Sequence, residues 1–143
     1  MSLMTEKDSR SRPSIPFCLL IIDKDSVMGH GIEVALKGLF SEIIVTSSPV
    51  KAMELLQQKE IAVILSEINF PTMNGIEFIN EIRRLQSNSA ILIASAHVND
   101  QVRGNLKNVD VRLFLEKPIN MTMLRKEINA IFEERNTHDK TIN

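Results

Sequence analysis

The chain has 143 residues, long enough for one compact domain with a real core and too short for two comfortable ones. Seventeen Lys and Arg against eighteen Asp and Glu leave a formal net charge of −1, so no basic excess points to nucleic acid or an anionic membrane as a partner. The longest apolar run, Phe17 to Ile22, is far below the ~20 residues of a membrane-spanning helix, no signal-peptide pattern opens the chain, and the single cysteine, Cys18, cannot form an internal disulfide. The expectation is a soluble, cytoplasmic protein.

Residues 1–14 are polar, mixed in charge and without periodicity, and read as a flexible N-terminal tail. Phe17 to Ile22 is continuously apolar between Pro16 and the charged Asp23-Lys24-Asp25, as suits a strand covered on both faces. Ser26 can cap a helix with the inward stripe Ile32, Ala35, Leu36 and Leu39, although Gly29 and Gly31 each weaken it by about 1 kcal/mol relative to alanine. Ile43 to Thr46 is a short β-branched strand. Ser48 and Pro49 then read as an N-cap with proline at the first helical position, and Ala52, Leu55 and Leu56 face inward.

Ala62 to Ser66 forms a third strand that stops at a carboxylate, Glu67, and a loop through Asn69, Pro71 and Gly75 follows. Ile76, Phe78, Ile79, Ile82 and Leu85 make the stripe of the next helix. Ala90 to Ala94 is a fourth strand, ending at Ser95-Ala96-His97. Asn99 and Asp100 offer caps for a helix over Gln101 to Leu106, and Val111 to Leu115 is a strand broken by Lys117-Pro118. Asn120 caps the last helix, Ile119 and Leu124 suit a hydrophobic staple, and Leu124, Ile128 and Ile131 continue the buried face. From Asn136 onward the sequence is polar, and a frayed tail or the start of a linker is expected over 136–143.

Apolar runs alternating with amphipathic patterns, joined by short loops, specify right-handed crossovers and a parallel sheet with helices on both faces. The fold class is α/β, a three-layer doubly wound sandwich. In such a sheet the carboxyl ends of the strands share one edge, which gathers Asp23, Lys24, Asp25, Glu67, Ser95 and Lys117.

In order and spacing, Ile21-Ile22-Asp23-Lys24-Asp25, Leu65 to Gly75, Ser95-Ala96 and Glu116-Lys117-Pro118 resemble the signature of receiver domains of two-component response regulators. The match covers roughly residues 16 to 135, and its specificity lies in several separated motifs agreeing. The resemblance implies a flavodoxin-like five-stranded sheet of order 2-1-3-4-5, a receiver-like domain over 15–135 and a phosphoryl switch without enzymatic activity of its own. It makes Asp23 the first acidic residue of a Mg²⁺ site, Ser95 and Lys117 the phosphoryl-gripping pair, and Asn69 the position whose carbonyl contacts the metal. Phe114 falls at the aromatic switch position. Two positions depart from the pattern: Glu67 replaces the acceptor aspartate, and Lys24 replaces the second acidic residue.

These departures oppose Mg²⁺-dependent phosphorylation. An inward ammonium about 4 Å from a divalent ion is repelled by roughly 8 kcal/mol at an effective dielectric near 20. Lys24 can instead lie between Asp23 and Glu67 as the metal's replacement, with Lys117 on the other side. A longer carboxylate also leaves in-line geometry, where about 1 Å of displacement can lower a rate about a hundredfold. The leading expectation is a pseudo-receiver with no cofactor, acting by protein contacts with an effector domain or protein. A histidine kinase is a possible partner, as is a second copy docked through the fourth helix, fifth strand and last helix, where Lys107, Arg112, Arg125 and Glu127 would supply polar contacts.

The alternative is a phosphorylated receiver. Lys24 then swings out to solvent, Asp25 serves in the metal site with Asp23, Glu67 and Asn69 as further ligands, and Glu67 or Ser66 accepts the group. A flavodoxin-like FMN carrier has less behind it, since no phosphate-cradling loop follows the first strand and no Trp or Tyr could stack on a flavin. His97 reads as an exposed loop residue, Cys18 as a core residue, and Met28, Met121 and Met123 as packing atoms. His30 and His138 lack metal-ligand spacing.

Overall fold

The computed structural model describes residues 17–142, with side chains through Asn136, so the expected tail over 1–14 lies outside the described residues. The apolar runs become β1 (Cys18–Ile22), β2 (Glu42–Thr46), β3 (Val63–Glu67), β4 (Ala90–Ser95) and β5 (Val111–Glu116). Between and after them run α1 (Ser26–Ala35), α2 (Pro49–Gln58), α3 (Gly75–Leu85), α4 (Asp100–Asn105) and α5 (Met121–Ile142). All strand pairs are parallel, as the alternating pattern predicts, and the order is β2-β1-β3-β4-β5, as the resemblance implies.

Every residue of β1 and β3 is buried, because each strand face carries its own helices. On one side Leu20, Ile22, Ile64, Ile91 and Ile93 pack with Ala52 and Leu56 of α2 and with Phe78, Ile79 and Ile82 of α3. On the other side Leu19, Ile21, Val63, Leu65 and Leu92 meet Ile32 of α1, the adjoining Leu36, and Leu124, Ile128 and Ile131 of α5. Both cores thus rest on the same strands. The unbroken apolar runs are the sequence trace of that arrangement.

Three local expectations change. The N-cap of α1 is Asp25, not Ser26: Asp23 Oδ1 accepts the Asp25 amide at 2.8 Å, and Asp25 Oδ1 in turn accepts the amides of Val27 and Met28 at 3.1 and 3.2 Å. Gly29 proves a packing requirement, since a Cβ there would stand 2.8 Å from Val45 Cγ1, so α1 lies close on β2 because the glycine is bare. The last helix runs on to Ile142, past Asn136 where fraying was expected. No Gly or Pro follows Pro118, and helix propagation continues where nothing interrupts it. Among the described residues no helix is long and apolar enough to cross a membrane.

Candidate functional site

Parallel pairing in register sets Ile22 beside Ser66, Glu67 beside Ala94 and Ser95 beside Glu116, so the residues at these strand ends converge on one edge of the sheet. Asp23 and Glu67 are the buried acids of that edge, 3% and 2% exposed. Buried carboxylates persist only when paired. Their partner is Lys117, at the end of β5 just before a cis peptide bond to Pro118. Its ammonium stands 3.0 Å from Asp23 Oδ2 and 2.6 Å from Glu67 Oε1. Burial works against the Lys117 charge, but the bonds to Glu67 and Asp23 outweigh it and the pKa lies above the usual lysine value.

Lys24 was expected between Asp23 and Glu67, and Lys117 holds that place instead. Asp23 and Lys24 are consecutive at the end of an extended strand, so their side chains diverge. The Lys24 ammonium goes to the outer flank, where it donates to the Asn69 carbonyl at 3.0 Å and lies 3.9 Å from Glu67 Oε2. The Lys24 backbone N–H also points to Glu67 Oε2, at 3.4 Å. Glu67 therefore has a cation on each oxygen. Lys117 is 15% exposed at its side chain and Lys24 51%, so the first is locked in and the second is a tether reaching in from solvent.

The Asn69 side chain donates to Ser95 Oγ at 3.2 Å, and that hydroxyl donates to the His97 carbonyl at 3.1 Å. Ser66 is buried, with its hydroxyl on the Glu67 carbonyl at 2.7 Å. Asp25 is exposed and serves as the helix cap, so it does not join the buried pair. Phe114 is half-buried on β5 with the Arg103 guanidinium 4.9 Å from its ring centroid. Among the described residues no group of three or more His, Cys, Asp or Glu is placed to hold a metal ion.

The remaining expectations divide. His97 is exposed, His30 pairs with Glu33 on α1, and Cys18 is buried, with burial raising its thiol pKa. Met28 and Met121 pack against the core, whereas Met123 is exposed. Arg112 is committed within the chain to Glu127 and Glu134 of α5, which hold its guanidinium pKa up. The turn of Arg112 towards α5 follows from an irregularity in the β4–β5 register at Ile91 and Leu92. Arg125 donates to the Ala35 carbonyl at the end of α1 and so faces away from α4. Sequence reasoning missed Arg103 over Phe114, because no periodic pattern links residues eleven apart on different elements. It also missed Arg83, which donates to the carbonyls of Val109, Gln86, Ser87, Ser89 and Asp110; an arginine in a last helical turn was the available signal.

A protein-family comparison matches residues 19–129 to the response regulator receiver domain. The chain is 28% identical over 126 residues to the cell cycle response regulator CtrA of Brucella ovis, covering 87% of this chain and 53% of that protein. It is 23% identical over 120 residues to a cyclic di-GMP phosphodiesterase of Thermotoga maritima, covering 84% of this chain and 32% of that one. The chain thus spans about half or less of the length of these relatives. Among solved structures, the CheY-like receiver domain protein of Methanospirillum hungatei JF-1 superposes with a TM-score of 0.78 at 16% identity, over 85% of this chain and 98% of that one. At that identity the likeness speaks for the fold alone.

Proposed function

The chain belongs to the receiver domain family of two-component response regulators, and from that premise we propose that it is a pseudo-receiver whose acidic pocket is filled by its own lysines. On this reading it is not phosphorylated in the usual Mg²⁺-dependent way, is not an enzyme, and signals through contacts with an effector domain or protein. Family membership also displaces the flavodoxin-like FMN carrier considered from sequence.

One observation carries the proposal: Glu67 has an ammonium at each oxygen, and the Asn69 carbonyl is taken by Lys24. Magnesium requires near-octahedral oxygen donors at about 2.0–2.1 Å. The candidate donors here, Asp23, Glu67 and the Asn69 carbonyl, are already engaged by Lys117 or Lys24, so the donor set does not fit the ion as arranged. Glu67 can imitate a charged acceptor only in part, since one carboxylate charge is below the −1.5 to −2 of a phosphoryl group.

The half-exposed Lys24 side chain favours a second reading, in which the tether leaves and the receiver is phosphorylated on Glu67. The capping role of Asp25 and the burial of Ser66 speak against the parts given to them in that alternative. Titration with Mg²⁺ and beryllofluoride, followed by ¹⁹F NMR, separates the two. No saturable signal is expected; saturable binding at Glu67, or a gain of one phosphoryl group in intact mass after incubation with a small phosphodonor, overturns the proposal.

A further inference from the structure

We infer that the outer face of α1 is a contact surface for a second copy of this chain, the two helices crossing antiparallel about Gly31. The inference does not rest on how the acidic pocket is filled, and its experiment reads mass and cross-linking, not metal or phosphoryl binding.

Of the ten residues of α1 only His30 and Glu33 can carry charge, and their side chains meet, Nδ1 to Oε1 at 3.0 Å. Gly29 and Ile32, with Leu36 just beyond the end, face the core. The opposite side is apolar as well, with Val27 80% exposed and Val34 72%. Gly31 lies between them, and a Cβ built on it would meet nothing within 4 Å. Spacings of four and three residues put these three on one stripe. A helix that is apolar all round is normally buried all round, and this one leaves its outer stripe uncovered.

The two ends of the stripe indicate what covers it. Past Val34 the chain turns at Gly38, and Val34, Gly38, Phe40 and Ile43 line a shallow groove of about 410 Å³. The acids on its rim, Glu33 and Glu42, are paired with His30 and Lys59. Val27 projects from the other end of the helix, about 10 Å away at 1.5 Å per residue. A projecting side chain and an apolar groove at opposite ends of one helix are self-complementary under a two-fold axis, because each copy offers what the other receives. Charge selects the same arrangement. Asp25, the exposed cap at the start of α1, and Lys37, exposed after its end, have opposite signs, so an antiparallel crossing sets Asp25 of each copy beside Lys37 of the other, whereas a parallel one sets like charges together. Lys24, next to Asp25, is spent on Asn69 and Glu67. The bare Gly31 at the crossing lets the two backbones approach.

One helix per copy makes a small interface, so the association is weak and reversible. Sedimentation equilibrium of the full chain from about 10 µM to about 1 mM is expected to show a rise from single towards double mass. Val27→Lys and Val34→Lys, each present twice in a symmetric contact, should weaken association at least about tenfold. Lys37→Glu replaces two attractions by two repulsions and should weaken it about 5- to 30-fold, and adding Asp25→Asn, which keeps the cap oxygen, should recover part of that loss. All four positions are exposed, so each variant keeps the core. Cys18 is buried, so an introduced thiol reports by itself. Gly31→Cys should give a disulfide-linked pair at least about tenfold faster than Val50→Cys, a site 70% exposed on α2, because a residue at the axis meets its own copy. A single-chain mass at every concentration overturns the inference, as does a double mass that the two valine variants leave unchanged, or equal linking rates for the two cysteine variants.

Discussion

Replacing Lys24 with alanine sets two routes of metal exclusion against each other. A divalent ion held by Asn69 and Glu67 would sit about 2.0–2.1 Å from each oxygen, and the Lys24 ammonium stands 3.0 and 3.9 Å from the same two groups. Kept in place, it would repel the ion by about 8 kcal/mol at about 4 Å and an effective dielectric near 20. The side chain is 51% exposed, however, and can turn into water. That route gives up a hydrogen bond of about 0.5–1.5 kcal/mol and an exposed ion pair of about 0–1 kcal/mol. The cheaper route wins, so eviction costs about 1–2 kcal/mol and Lys24→Ala should bind Mg²⁺ about 5- to 30-fold more tightly than the unmodified chain. Calorimetric titration at one fixed ionic strength reads this directly, with Lys24→Asp as the variant that adds a carboxylate donor. Affinities of the parent and Lys24→Ala within a factor of about two would refute Lys24 as the occupant, and a gain above about a hundredfold would refute the escape into water.

Glu67→Asp in the Lys24→Asp background shortens the carboxylate and supplies the missing acid; it should gain one phosphoryl group from a small phosphodonor with Mg²⁺, seen by intact mass, while the parent gains none. Lys117→Met leaves two buried carboxylates without their shared cation and should lower stability by about 3–5 kcal/mol in urea unfolding. Because the folded pKa of Lys117 is raised, its ion-pair stabilisation is complete below the unfolded lysine value near 10.5 and is lost as pH rises through the higher folded value, so Lys117→Met should lack this alkaline step. Arg83→Ala removes the donor to five backbone carbonyls at the start of β4 and the entry to β5, and should destabilise by about 2–4 kcal/mol without changing metal or phosphodonor binding.

The sheet was legible in the sequence because burial on both faces writes itself as unbroken apolar runs, and Cys18–Ile22, Ile61–Leu65 and Ala90–Ala94 carry that mark strongly. The site residues were legible because parallel strands bring their carboxyl ends to one edge whatever their separation in the chain. Side-chain direction was not. Whether Lys24 or Lys117 lies between Asp23 and Glu67 depends on a divergence at the end of β1 that composition does not record. The cap of α1 moved by one residue for a related reason, since Asp25 was placed by a bond from its own amide to Asp23. The commitments of Arg112 and Arg125 depend on a register irregularity and on the packing of α5 beside α1, both of them tertiary facts.

Charge explains why the two departures belong together on the proposed reading. The family pattern sets three carboxylates against one lysine, leaving two negative charges, which is what a divalent ion supplies. Here Asp23 and Glu67 face Lys24 and Lys117, and the pocket is neutral without any ion from solution. The change at Glu67 conserves charge; the change at Lys24 alone shifts the pocket by two units. A dissolved ion binds and leaves with its concentration, whereas a tethered ammonium is present at a fixed effective concentration set by its own chain. Such a pocket should be insensitive to Mg²⁺ over the range in which a metal-dependent receiver responds. Lys24→Asp should restore that sensitivity, with thermal stability rising as RT ln(1 + [Mg²⁺]/Kd), while the parent chain reaches the same rise only at correspondingly higher Mg²⁺.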